Sequence, residues 1–389
     1  MDDEVLPRRL WPVIGADPVP SLLAADEPAA RWVTLRRVLG RPEDDADVRK
    51  ARREVLADPG VQDLLERIPD WEAADKVGGH DSPRYAPNLL HLLADMGVRP
   101  GDDDRFDDLL DAFARHEDGG RFACFTQWRQ MPQPVWCTLP CDMHIIADIM
   151  ARCGRAGQAS VRRSLRRILD DFTETTQGPG WKCIPDPVVK FRGPGRVGDV
   201  CPLVTLEALR LFARLIEQPA GVTAAGADGL RHVTPAVRTV LGVWRDRGAH
   251  RPYMFGHGRS FKTVKWPTTW YSVALVLDAV GRYPQVWSAA SPVATEEDRR
   301  SVAELAASLI AYNVALDGSV TPQSCYKGFE RFSFGQKRRP SPFAAARLFA
   351  ILKPFEELAG EIAAVDVAAL ASSRGGSGTA RPPRVPGRP

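Results

Sequence analysis

The feature that most constrains this chain is an alternation repeated six times. A helix apolar around most of its circumference is followed by a helix apolar on one stripe only. "RYAPNLLHLLADMG" (84–97) precedes "DRFDDLLDAFARHE" (104–117), and "CDMHIIADIMARCG" (141–154) precedes "QASVRRSLRRILDDF" (158–172). The same order holds for 201–216 with 234–247, 267–283 with 296–313, 27–40 with 43–57, and 340–355 with 356–371. The first members begin at 27, 84, 141, 201, 267 and 340, a drifting period of about 60–70 residues. A helix apolar on all sides belongs inside and an amphipathic one outside. The expected fold is therefore all-α: a closed (α/α)6 toroid of six inner and six outer helices. The alternative, an open solenoid of helical hairpins, would need polar caps at both ends.

Four short segments interrupt the helices: "DGGRFACF" (118–125), "QGPGWKCIPDP" (177–187), "RPYMFGHG" (251–258) and "LDGSVTP" (316–322). Glycine there supplies positive φ, proline stops the helix, and the aromatic packs the turn. They read as returns from an outer helix to the next inner one. At 389 residues with 44% hydrophobic content, the chain can bury a large core. Residues 1–20 read as an N-terminal extension, 21–371 as the toroid, and the Gly-, Pro- and Arg-rich 372–389 as a disordered tail.

The order inner helix, outer helix, Gly-aromatic turn resembles the repeats of the α/α-toroid superfamily. That group contains squalene and terpene cyclases, protein prenyltransferase β subunits and lanthionine cyclases. "DGGRFACF", "GPGWKC" and "LDGSVTP" carry the resemblance, over roughly residues 60–355. "HEDGGRFACFTQW" is similar to the cyclases' Gln- and Trp-containing repeat, with its residues in a different order. The resemblance implies a toroid and speaks to fold rather than reaction.

In a toroid all returns reach the end where the inner helices begin, with their free N–H groups. Segments 177–201, 245–266 and 325–339 hold fifteen basic and four acidic residues, in a chain of net charge +3. Their aromatics include Trp181, Tyr253 and Trp266, with Trp270 and Tyr271 just beyond the second segment. A basic rim over aromatic walls suits an anionic amphiphile such as an isoprenoid diphosphate. The expected substrate-binding residues are Arg192, Arg196, Lys265 and Lys337 for the anion, with Trp266, Trp270 and Tyr271 for the apolar body. Asp142 and Asp199, at the starts of inner helices, are the candidate acids. The lone histidines His80, His91 and His257 read as locally bonded side chains.

"WCTLPCDMH" places His144 one turn after Cys141 on the same helix face, and Cys183 and Cys201 open neighbouring segments. Thiolate and imidazole suit zinc, so Cys141, His144, Cys183 and Cys201 form the expected metal set. Magnesium is not expected. Asp103, Asp104 and Asp107 spell D-D-x-x-D but open an outer helix, where the dipole favours acids anyway. The cyclase acid motif D-x-D-D has no match, nor do the phosphate-loop, dinucleotide and Gly-x-Ser-x-Gly fingerprints.

Two function classes stand: an enzyme of terpenoid cyclase or prenyltransferase type acting on an anionic amphiphile, and a noncatalytic toroid that binds a peptide, metabolite or partner protein. A carbohydrate-processing toroid is a third and weaker option, needing paired carboxylates about 5–9.5 Å apart. The near-neutral charge argues against a nucleic-acid partner. No apolar run reaches the ~18 residues of a membrane span. The acidic start "MDDEVLPRRL" is not expected to be a secretory signal. Seven scattered cysteines fit reduced thiols and a cytoplasmic protein.

Overall fold

The structure, a computed structural model, describes residues 9–72, 79–126, 133–190, 192–193, 195–217, 232–248, 252 and 255–372. Tyr253 and the tail from 373 onward lie outside the described residues. The chain divides into two compact units. One comprises Met1–Arg53, His257–Pro267 and Ser272–Pro389; the other comprises Glu54–Gly256 and Thr268–Tyr271. The protein is mostly helical, and its few strands are two to four residues long. No helix among the described residues is long and apolar enough to cross a membrane.

The second unit holds three helix pairs. Ala86–Met96 is followed by Asp104–Arg115, Pro140–Arg152 by Ala159–Asp170, and Pro202–Glu217 by Val233–Arg245. The first members are enveloped: only Asp95 of Ala86–Met96 and Arg152 of Pro140–Arg152 escape full burial. They pack in chain order, helix 86–96 on 140–152 and 140–152 on 202–217. The second members bury one stripe, as Val161, Ser164, Leu165 and Ile168 do in Ala159–Asp170. An additional helix, Pro59–Glu66, is capped by Asp58, whose Oδ1 accepts from the amides of Gly60 and Val61.

The return segments contain β-ladders that helical periodicity does not announce. Glu117–Asp118 pairs with Arg121–Phe122, and Cys124–Thr126 with Val135–Cys137. Gly120 turns the first hairpin at φ 84°, and a Cβ there would lie 2.8 Å from the Arg163 carbonyl oxygen. "GPGW" is the second strand of the hairpin Phe172–Thr175 with Gly178–Trp181. Trp181 then closes the space between helices. Its Nε1 donates to the Ile168 carbonyl at 2.6 Å, and its ring stacks on Phe212. The two glycines thus lie in the returning strand of a hairpin whose last residue, Trp181, is a core plug.

In the first unit, Pro28–Val33 runs into a π-turn, Thr34–Val38, before Ala46–Leu56. Val273–Val280 precedes Glu296–Asn313. It is shorter than its apolar run because Ser272 caps its start, accepting from the Leu275 amide. Pro342–Leu352 is followed by a 3-10 segment and the short helices Ala359–Ala364 and Val367–Ser372. Helix 342–352 packs on both 273–280 and 28–33, so the last enveloped helix adjoins the first. The start of the chain takes part as well. Leu10 and Ile14 are buried, and Trp11 meets Phe349 edge-on with ring centroids 5.6 Å apart, so residues 9–20 form part of the packed unit.

Glu27 fastens this junction. Its Oε2 accepts from Ser333 Oγ at 2.6 Å and from the Phe343 amide at 3.1 Å, in the first turn of helix 342–352. We expect Glu27→Ala to lower unfolding stability by about 1–3 kcal/mol, since it strands a helix-end donor. Glu43→Ala, which removes a solvent-facing pair with Arg36, should cost no more than about 1 kcal/mol. Urea titration of both variants measures the difference; equal costs would deny the junction its role.

Candidate functional site

The first turn of helix 140–152 follows Pro140, whose missing amide hydrogen suits the start of a helix. Cys141 and Asp142 come next and are both buried. Facing them is His80, from the segment that leads into helix 86–96. Asn88 of that helix, itself buried, donates to the carbonyls of His80 at 2.9 Å and Ser82 at 2.8 Å, which pins the segment. His80 Nδ1 lies 3.5 Å from Cys141 Sγ and 3.5 Å from Asp142 Oδ1. The three donor atoms all fall within 4.8 Å of one another, the one such group among the described residues that could hold a metal ion. Asp142 Oδ1 accepts no hydrogen bond.

An aromatic row leads away from this cluster. The His80 ring stacks on Trp270 with centroids 5.5 Å apart, and Trp270 stacks on Phe255 at 6.2 Å. Phe255 meets Tyr271 edge-on at 4.7 Å. Phe255 and Tyr271 are buried, whereas His80 and Trp270 are half-exposed. The site is thus a polar cluster reached along a surface of rings.

Burial raises the Cys141 thiol well above its ordinary pKa, and Asp142, Cys183 and Cys201 add to the shift. Burial also pushes Cys201 up to about 12, helped by Cys183. These three thiols therefore share one electrostatic neighbourhood. They are resting thiols, not thiolates. For His80, burial works to lower the pKa, but Asp142 together with the charges of Asp81 and Glu207 outweighs it and the net shift is upward.

The expected metal set needs correction. Cys141 belongs to the donor group, but His144, Cys183 and Cys201 do not join it. His144 is fully buried; its Nδ1 is bonded to the Val204 carbonyl at 2.9 Å and its ring stands edge-on to Trp181. The helix turn that puts His144 and Cys141 on one face also carries His144 down into the contact with helix 202–217, away from the end where Cys141 sits. Cys183 Sγ accepts from the Gly193 amide at 3.1 Å. His80, read from sequence as a local partner, supplies the missing imidazole. No spacing motif marks it, since it lies 61 residues from Cys141. All seven cysteines are free.

Asp199 is engaged structurally. Gln177 Nε2 donates to its Oδ1 at 3.0 Å, and Arg196 Nε is 3.1 Å from its Oδ2. Arg196 is thereby committed to a neighbour three residues away. Arg192 turns back on its own loop, donating to the carbonyls of Gly193 and Gly195. Lys265 is exposed and sits 3.6 Å over the Tyr326 ring, Lys337 is exposed, and Trp266 is buried beside Phe334. Lys265, Trp266 and Lys337 belong to the first unit; Arg192, Arg196, Trp270 and Tyr271 belong to the second. Of the D-D-x-x-D run, Asp103 caps helix 104–115 and pairs with Arg105, and Asp107 accepts from the Gly101 amide.

Further along the same helices lies a second buried polar group. Asp148 has no exposed surface and is bonded by Arg214 Nε from helix 202–217. His91 Nε2 is 3.5 Å from Asp148 Oδ2, and Arg152 bonds the His91 carbonyl and pairs with Asp95. Comparison with family models, with curated proteins and with solved structures finds no match for this chain.

Burial pushes His91 down to about 3; Asp148 opposes the shift, while Arg210, Arg152 and Arg214 reinforce it. The folded state therefore binds fewer protons at this group than the unfolded chain. Its penalty is absent above the unfolded value of about 6.5 and grows as pH falls toward the folded one. From pH 7 to pH 5 the histidine should cost up to about 2 kcal/mol. We expect His91→Gln to show a smaller loss of urea stability over that interval than the parent. An unchanged pH slope would remove His91 as its source.

Proposed function

We propose that the protein is a toroid of α/α repeats that binds a small amphiphile at the His80–Cys141–Asp142 cluster. The toroid reading is supported by the order of packing. Enveloped helices are neighbours in chain sequence within each unit, and the last adjoins the first. The ligand reading rests on one observation above all: a thiol, an imidazole nitrogen and a buried carboxylate oxygen lie within 4.8 Å of one another at the end of a ring stack. The head of the ligand meets the cluster through a donor or a bound cation, since the Asp142 carboxylate repels a bare anion, and its apolar body lies on Trp270 and Phe255. Isoprenoid diphosphates are the class this favours, among amphiphiles with an anionic head. Asp199, Arg192 and Arg196 stand outside this reading because their polar atoms are engaged locally.

A ligand that binds only the folded state raises its melting temperature by mass action, by about 2.7 kcal/mol of stability at a hundredfold excess over Kd. A prenyl diphosphate is expected to raise the Tm, pyrophosphate alone to raise it less, and Trp270→Ala to remove the difference between them. Differential scanning fluorimetry measures all three. Equal shifts with both ligands would remove the apolar half of the proposal, and no shift with either would remove the anionic amphiphile altogether.

A further inference from the structure

The cluster has a geometry that neither a hydrogen-bond network nor a nucleophilic relay explains. In a Cys–His–carboxylate relay the thiol and the acid engage opposite nitrogens of the imidazole. Here Cys141 Sγ and Asp142 Oδ1 both face His80 Nδ1, each at 3.5 Å. One nitrogen can serve one hydrogen bond. For the carboxylate, 3.5 Å exceeds the usual 2.7–3.2 Å range, and Oδ1 has no other donor. Three different donors aim at one point between them.

That point has the dimensions of a metal centre. Zinc sits about 2.0–2.3 Å from sulfur, nitrogen and carboxylate oxygen, so neighbouring ligands of a tetrahedral site lie about 3.3–3.8 Å apart. Both measured edges fall in this interval, and the third lies within the 4.8 Å common to the group. One sulfur, one imidazole nitrogen and one carboxylate oxygen select zinc over magnesium or calcium, which take oxygen. Cys141 and Asp142 are buried, with 6% and 4% of their surface exposed, and His80 is half-exposed, so the site opens on the histidine side.

We propose that His80 Nδ1, Cys141 Sγ and Asp142 Oδ1 are the three protein ligands of a zinc ion whose fourth position faces the aromatic row. Among the described residues no further His, Cys, Asp or Glu joins the group, so that position is left for water or for a ligand's head. This deepens the proposed ligand site: the ion supplies the positive charge that an anionic head requires there, which the locally engaged arginines do not. Zinc binding displaces the Cys141 proton to solvent, and the thiolate and carboxylate together balance the charge of the ion. The stack on Trp270 fixes the His80 ring, and Asn88 fixes its backbone.

The test uses the full chain expressed without chelator. Elemental analysis should find about one zinc per chain. Replacing it with cobalt chloride should give tetrahedral d–d bands and a sulfur-to-cobalt charge-transfer band. Cys141→Ser should abolish the charge-transfer band, and His80→Ala and Asp142→Asn should each weaken zinc binding by more than the about 10–100-fold that loss of a supporting partner costs. Cys325→Ser, a thiol of the other unit, should change none of these. Circular dichroism checks that each variant is folded. Wild-type protein that takes up no cobalt, or a charge-transfer band that survives in folded Cys141→Ser, overturns the metal site. The ligand reading is read separately, from the Tm shift with a prenyl diphosphate before and after chelation. A shift that survives chelation in a protein without a cobalt signal keeps the ligand and removes the metal. A cobalt signal without any shift keeps the metal and removes that ligand.

Discussion

The rest of the structure depends on the cost of burying charge inside helices that have no solvent side. Asp148 is wholly buried in the middle of helix 140–152, where an uncompensated carboxylate would be strongly destabilising. Arg214 from the next enveloped helix meets it directly, and His91 from the preceding one approaches its second oxygen. Arg152 at the end of the helix returns to Asp95 and the His91 carbonyl. Hydrophobic burial would hold these helices together in many rotations. A buried charge accepts only the rotation that brings its partner, so the polar residues fix which faces meet.

The same helix carries a second buried acid in its first turn. Two turns before Asp148, Asp142 is also buried, yet its Oδ1 receives no hydrogen bond. Asp148 Oδ2 also lacks a hydrogen bond, with His91 3.5 Å away, and it is Arg214 on the other oxygen that sets that site apart. At Asp142 the fold instead brings an imidazole and a thiol to the same point, and places rings beside them. The two acids differ in their company: an arginine from a packed helix at Asp148, a thiol and a half-exposed imidazole at Asp142.

The return segments contribute in two ways. Their glycines permit hairpins, as at Gly120, which seat large aromatics such as Trp181 between helices. Their basic residues are used mostly close to home. Arg192 closes its own loop, Arg196 pairs with Asp199, and Lys265 covers Tyr326. A count of charges by segment cannot foresee this, because it does not say whether a guanidinium's donors are spent on its own loop or paired with a nearby carboxylate.

The sequence by itself determined the helices and their burial. Enveloped and striped patterns are local properties, written at a spacing of three and four residues, and they mark Ala86–Met96, Asp104–Arg115 and the other pairs directly. Two residues of the candidate site, Cys141 and Asp142, were legible as well, Cys141 as a thiol of metal-ligand type and Asp142 as a candidate acid at the start of an enveloped helix. Only the tertiary structure decided their partner. His80 comes from a segment with no periodic signal, held by a side-chain amide of the following helix, and it reaches Cys141 across 61 residues. Helical spacing pointed instead to His144, one turn along. Residues that share a helix face also travel along the axis, about 1.5 Å per residue, and that rise takes His144 into the Val204 contact. Periodicity fixes which way a side chain faces; which donors meet at one point depends on how separate helices pack, and that is not written in any local stretch of the chain.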